Sequence, residues 1–151
     1  MNAETVEEPT YVQYYDKKTV LSMSWWKDNL LHRENGKPAA INFWKNGNVR
    51  AEYFLENGEY YRADGLPTTV TYHKDGTVKE EIWKDASGSY NRDNDLPAVI
   101  TYDLDGNVAR KDWFLDSEFY REGDKPETEI YENGELVEII KGNIVTRVSA
   151  A

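Results

Sequence analysis

The sequence predicts an all-β fold, an antiparallel meander of β-hairpins made of about four and a half tandem copies of one unit of about 29 residues. Three observations predict it. The five prolines, Pro9, Pro38, Pro67, Pro97 and Pro126, follow one another at spacings of 29, 29, 30 and 29. Seven of the ten glycines come directly after Asn or Asp, which is the chemistry of tight turns. No stretch carries an apolar stripe at the 3.6-residue period of an amphipathic helix.

Other columns keep the same period. Nine residues after the first four prolines stand Lys18, Gly47, Gly76 and Gly106; in the last copy the turn comes one residue early, at Gly134. An aromatic precedes the turn (Tyr14, Phe43, Tyr72, Tyr102), and an aliphatic follows it (Val20, Val49, Val78, Val108, Leu136). A second aromatic comes later (Trp25, Phe54, Trp83, Trp113), and then an arginine (Arg33, Arg62, Arg92, Arg121).

One unit reads forward from its proline. Ala39 to Phe43 is a strand, because aromatic and β-branched residues favour extended chain. Asn46-Gly47 turns it, both residues being tolerant of positive φ. Val49 to Leu55 returns, Asn57-Gly58 turns again, Glu59 to Arg62 is a short third strand, and Asp64-Gly65-Leu66-Pro67 leads into the next copy. The repeats span 9–142, between an acidic arm (1–8) and a tail (143–151). Alternation puts Val49, Ala51, Tyr53 and Leu55 on one face and Phe54 on the other. Either a bulge resets the phase or both faces are apolar. In the second case a wrapped sheet, a neighbouring copy or a second chain must cover the extra face, and a homodimer is expected.

Composition narrows the function. No apolar run is long enough to span a membrane. The start, Met1-Asn2-Ala3-Glu4, lacks the pattern of a secretory signal. There is no cysteine for disulfides or thiolate metal sites, and cytoplasm is the default compartment. A net charge of −10 with scattered Lys and Arg argues against direct contact with nucleic acid or anionic lipid.

The phrases Phe43-Trp44-Lys45-Asn46-Gly47-Asn48-Val49, Tyr72-His73-Lys74-Asp75-Gly76-Thr77-Val78 and Tyr131-Glu132-Asn133-Gly134-Glu135-Leu136 resemble the Tyr-x-x-Asn-Gly-x-Leu core of MORN-variant repeats. Leu31-His32-Arg33-Glu34-Asn35-Gly36-Lys37-Pro38-Ala39 is similar to the Leu-His-Arg-x-Asp-Gly-Pro-Ala phrase of a subtype found in phage and giant-virus proteins. The resemblance implies stacked β-hairpins and an interaction role; some bacterial members carry the label of antitoxin. Shorter, glycine-richer relatives touch lipid, and the longer unit and acidic charge here point away from that.

Residues for catalysis do not converge. His32 and His73 occupy different columns, and no nucleophile elbow or phosphate-cradling loop exists. Asp103-Leu104-Asp105-Gly106-Asn107 hints at a calcium loop, but its twelfth residue is Phe114 rather than Glu, so a hairpin turn is expected. The reading is a non-enzyme without cofactor or metal. Each arginine of the column precedes an acid (Glu34, Asp64, Asp93, Glu122), so a structural loop clamp onto carboxylate or carbonyl is expected. Three residues before the turn stand Tyr15, Trp44, His73, Asp103 and Tyr131. This varied column, joined by Trp26, is the candidate contact surface, since aromatics anchor interfaces. The expected function is protein binding, with a phage- or virus-encoded inhibitor or adaptor acting on a host or defence protein as the sharpest form. The partner then has a basic surface. An acidic DNA mimic and a glycan- or wall-binding module are the alternatives.

Overall fold

The computed structural model describes residues 7–148. Residues 1–6 of the expected acidic arm and 149–151 of the expected tail lie outside them. The first unit supplies a long hairpin, β1 (Tyr11–Tyr14) and β2 (Val20–Ser24), then a short one, β3 (Trp26–Lys27) and β4 (Leu30–Leu31). The second repeats this as β5 (Ala40–Phe43), β6 (Val49–Tyr53), β7 (Leu55–Glu56) and β8 (Glu59–Tyr60). The third has β9 (Thr69–Tyr72) and β10 (Val78–Ile82), and its side hairpin shrinks to a single Lys84–Tyr90 bridge. The fourth has β11 (Val99–Tyr102), β12 (Val108–Asp112), β13 (Phe114–Leu115) and β14 (Glu118–Phe119). The fifth has β15 (Thr128–Glu132) and β16 (Glu135–Lys141), followed at once by β17 (Ile144–Arg147), so part of the expected tail is a strand. The only helical turn among the described residues is a 3-10 turn at Ala63–Gly65.

The long strands form one 11-stranded antiparallel sheet in the order β1-β2-β5-β6-β9-β10-β11-β12-β15-β16-β17. Hairpin turns project from one end of the strands; side hairpins and proline loops project from the other. The phase question is settled by a bulge in every long hairpin. Asn42 faces Ala51 but Phe43 faces Val49, which leaves Arg50 unpaired, and the same slip recurs at Tyr14, Tyr72, Tyr102 and Tyr131. Val49 and Phe54 therefore share a face despite opposite parity. That face carries the main core, with Trp25, Phe54, Trp83, Trp113, Ala39, Ala98 and Val70 buried. On the other face Ala51, Thr69, Ile82, Asp112 and Thr128 are also buried. The chain's own side hairpins reach this second face at the loop end, where Phe119 shares a cleft with Arg110, Thr128 and Ile140.

Turn chemistry differs between the two hairpin kinds. In the long hairpins only the glycine takes positive φ (89° at Gly47, 93° at Gly76, 85° at Gly106), and the preceding Asn or Asp does not, contrary to expectation. The loop is wider there: Trp44 N–H donates to the Asn48 carbonyl, and Gly47 N–H to Trp44. The two-residue turns with both φ values positive lie in the side hairpins, at Asp28-Asn29, Asn57-Gly58 and Asp116-Ser117, and in the last long hairpin at Asn133-Gly134. The tighter turn is why the final copy turns one residue early.

Candidate functional site

At the loop end each unit builds the same clamp. The guanidinium of Arg33, Arg62, Arg92 and Arg121 lies 3.6–3.7 Å from the ring centroid of Trp25, Phe54, Trp83 and Trp113 respectively. Each arginine also donates through Nη1 to the carbonyl of the proline five residues on, at 3.0–3.2 Å. The planar fork satisfies a ring face and a carbonyl together, which a lysine could not do. The indole N–H of Trp25, Trp83 and Trp113 donates in turn to a carbonyl 18 residues back, at Glu7, Gly65 and Asp95. The arginine column is thus a structural clamp that joins each ring to the proline opening the next unit, while three indoles tie back to the preceding loop.

The carboxylate partners are not the following acids. Arg33 Nε donates to Glu7 at 3.1 Å and Arg121 Nε to Asp95 at 2.9 Å, in both cases 26 residues earlier. Arg121 also pairs with Glu129 at 3.0 Å. Hydrogen bonds from Arg121, and then from Lys125, hold the Asp95 carboxyl down at about 2. Arg62 has Gly36 at the matching position, and its buried Nε has no partner.

The expected contact row is partly dismantled. Tyr15, Trp44 and His73 sit together along the turn edge, but half-buried and each engaged with the next unit. Tyr15 Oη donates to the Phe43 carbonyl (2.9 Å), Trp44 Nε1 to Tyr72 (3.2 Å) and His73 Nε2 to Tyr102 (3.2 Å). A side chain at this place staples unit to unit. Asp103, which follows in the column, makes no such bond and caps its own turn by accepting from the N–H groups of Asp105 and Asn107. That turn is the stretch which hinted at calcium. Tyr131 does not belong to the row. Opposite Leu136 it takes the place that Tyr72 takes opposite Val78, and the single-residue shortening of the last copy had disguised this. Trp26 lies at the other end of the strands, 40% exposed, edge-on to Tyr11. It cannot form one surface with Trp44.

Behind the clamps run paired Tyr and Glu side chains. Tyr72 Oη donates to Glu52, and Tyr102 Oη to Glu81 at 3.0 Å. Burial first and Glu81 second push the Tyr102 phenol up to about 12; burial and Glu52 push Tyr72 up as well. Where the hydroxyl is missing, at Phe43, the residue in place of Glu52 is Met23. At Tyr131 that place holds Lys111, whose ammonium lies 5.0 Å from the ring, and the hydroxyl turns to Glu129 instead.

What the loop end leaves open is a row of four clefts, one per interval between units. In chain order they measure about 540, 440, 490 and 150 Å³. Each is floored by a ring of the clamp, and the last three also by its arginine. The rims carry carboxylates (Glu8, Glu34, Asp64, Asp93, Glu122) with lysines between them (Lys27, Lys37, Lys84). They also expose large apolar side chains: Tyr61 at 53%, Leu66 at 48%, Leu96 at 43% and Tyr120 at 50%. Units lie two strands apart, so the clefts follow one another at about 10 Å. Sequence reading missed this surface, although Leu66 and Leu96 precede their prolines where Lys37 and Lys125 stand in other copies. Among the described residues no group of three or more His, Cys, Asp or Glu is placed to hold a metal, and no helix is long and apolar enough to cross a membrane. Comparison with known proteins finds no matching family model, no matching curated protein and no matching solved structure.

Proposed function

We propose that this chain is a non-catalytic module that binds another protein along its loop edge, taking up an extended segment that carries apolar and basic side chains. The observation that carries the reading is the line of four successive clefts, the last three of which expose Tyr61, Leu66, Leu96 or Tyr120 at their rims beside carboxylates. Exposed apolar side chains in a polar frame mark interaction surfaces. Carboxylate rims favour a cationic segment and disfavour an anionic one. The resemblance to MORN-variant repeats supports an interaction role, and an inhibitor or adaptor is one form it takes.

An array of short peptides that vary independently in charge and apolar content tests this. Cationic peptides with apolar residues are expected to be retained, and Tyr61→Ser combined with Leu66→Ser to weaken them at least tenfold with the melting temperature unchanged. Equal binding by the double variant sinks the reading. Binding that ignores Leu66 and collapses with added salt would favour the DNA-mimic alternative.

A further inference from the structure

The side hairpins carry a ladder of side chains that ends in an unfilled place. One column follows the clamp ring: Trp26, Leu55, Lys84, Phe114 and, in the last unit, Gly142. The backbone confirms the equivalence. Trp26 N–H donates to Thr10 Oγ1, Lys84 N–H to Thr68 Oγ1 and Gly142 N–H to the Glu127 carboxylate, each acceptor being the residue after a unit's proline. The cross-strand column is Leu31, Tyr60, Tyr90 and Phe119.

In the third and fourth units the column residue covers the cross-strand residue of the unit before it. Lys84 Nζ lies 4.6 Å from the Tyr60 ring, and Phe114 lies 5.2 Å from Tyr90 and 4.4 Å from Phe119. Phe114 stacks on Phe119 from within its own unit, and among the described residues no ring of the following unit lies over it. Where the next side chain is due, Gly142 opens directly into β17, and a Cβ built there would meet no atom within 4 Å. The result is a cleft of about 370 Å³ lined by Phe119, Ile140, Thr128, Arg110, Glu127 and Gly142. Phe119 is 55% exposed. The one cation at the cleft is already committed, because Arg110 Nε is bonded to Asp112 at 2.7 Å and Thr128 Oγ1 holds the other oxygen of that carboxylate.

We propose that this cleft is a socket for an aromatic side chain of a partner protein, which completes the ladder over Phe119 as Phe114 completes it over Tyr90. An offset ring contact suits the mainly apolar lining and the ring beneath it. A second copy is the poorer occupant. The exposed column residue at the opposite end, Trp26, follows β2, whereas the column place over Phe119 follows β16, so a second copy would need its β2 where this chain already has β16. The proposal is independent of the loop-edge reading, since Tyr61 and Leu66 do not line the socket.

Titration of the methyl-labelled full chain with N-acetyl-tyrosine amide, followed by NMR, tests it. Saturable ring-current shifts are expected at the Ile140 and Thr128 methyls. They should weaken at least fivefold in Phe119→Ala, which leaves Trp113 and its indole signal in place. They should also vanish in Ile140→Trp, which fills the socket from its own wall and keeps the test open if Phe119→Ala loses the hairpin. The Tyr61→Ser, Leu66→Ser chain should titrate like the wild type. Absence of saturable shifts, equal shifts with N-acetyl-arginine amide, or shifts indifferent to both socket variants would overturn the proposal. So would shifts in probe-free protein that grow with concentration together with the Trp26 indole, which would assign the socket to a second copy.

Discussion

The clamp shows what single residues contribute, because the copies differ in ways that act as internal controls. Phe54 lacks the indole N–H that its three counterparts use, and Gly36 lacks the carboxylate that Glu7 and Asp95 supply. Phe54→Trp is therefore expected to stabilise by about 0.5–1.5 kcal/mol through a bond to the Gly36 carbonyl. Gly36→Asp should give the buried Arg62 Nε its partner; φ at Gly36 is 66°, and Asp95 already holds a φ of 54° at the matching place. Urea midpoints of the single variants check both, and a loss of stability in either would mean that the clamp geometry is not transferable between copies. The Tyr–Glu pairs bear on pH. A tyrosine hydroxyl titrates near about 10 in an unfolded chain, whereas Tyr102 keeps its proton to about 12 in the fold. Its contribution is complete below the unfolded value and fades as pH rises through the folded one. The urea midpoint should therefore fall between about pH 10 and 12, and fall less steeply in Tyr102→Phe; identical slopes would remove the pair from the account. The arginine column was legible as a clamp because its residue type never changes. Its carboxylates were not, because contacts 26 residues apart leave no mark on local sequence.

Among the elements, the turns separate what glycine does from where it happens to stand. Gly106 has φ of 85° with open space where a Cβ would go, so only backbone strain opposes a side chain. Gly106→Ala should cost about 1–2 kcal/mol. Lys18, the equivalent residue of the first copy, is not in the positive-φ region. Its turn is held by Asp16 Oδ1, which accepts from the N–H groups of both Lys18 and Thr19 at 2.9 Å. Lys18→Gly should accordingly gain no stability, and thermal melts of the two variants measure the contrast. A gain in Lys18→Gly would mean that the first turn is a strained copy of the others. Asn-Gly and Asp-Gly marked many turns but neither Asp28-Asn29 nor Asp116-Ser117, and not the turn type, since hairpins with the same bulge close by a wide loop at Gly47 and by a two-residue turn at Gly134.

Across the described residues, the meander of repeated hairpins is an open sheet whose edge strands are β1 and β17. At the β17 edge Ile144 and Val145 are 69% and 57% exposed. That pattern is a template for further strand pairing, so Val145→Lys should leave the melting temperature within about 1 °C, given the small effect of a surface substitution, and slow aggregation on heating, as read by light scattering. Faster aggregation would show that this edge is shielded. The sequence by itself determined the long strands short of β17, their antiparallel order, the 29-residue period and the core column Trp25, Phe54, Trp83 and Trp113. Those rest on alternation, turn chemistry and repetition, which act over a few residues and are written wherever those residues stand. Only the tertiary structure decided that the bulge puts Val49 and Phe54 on one face, that Tyr15, Trp44 and His73 staple units together, and that the open surfaces are the loop clefts and the place above Phe119. Each of those depends on a neighbour one whole unit away, and a side chain is free for a partner only where that neighbour fails to cover it.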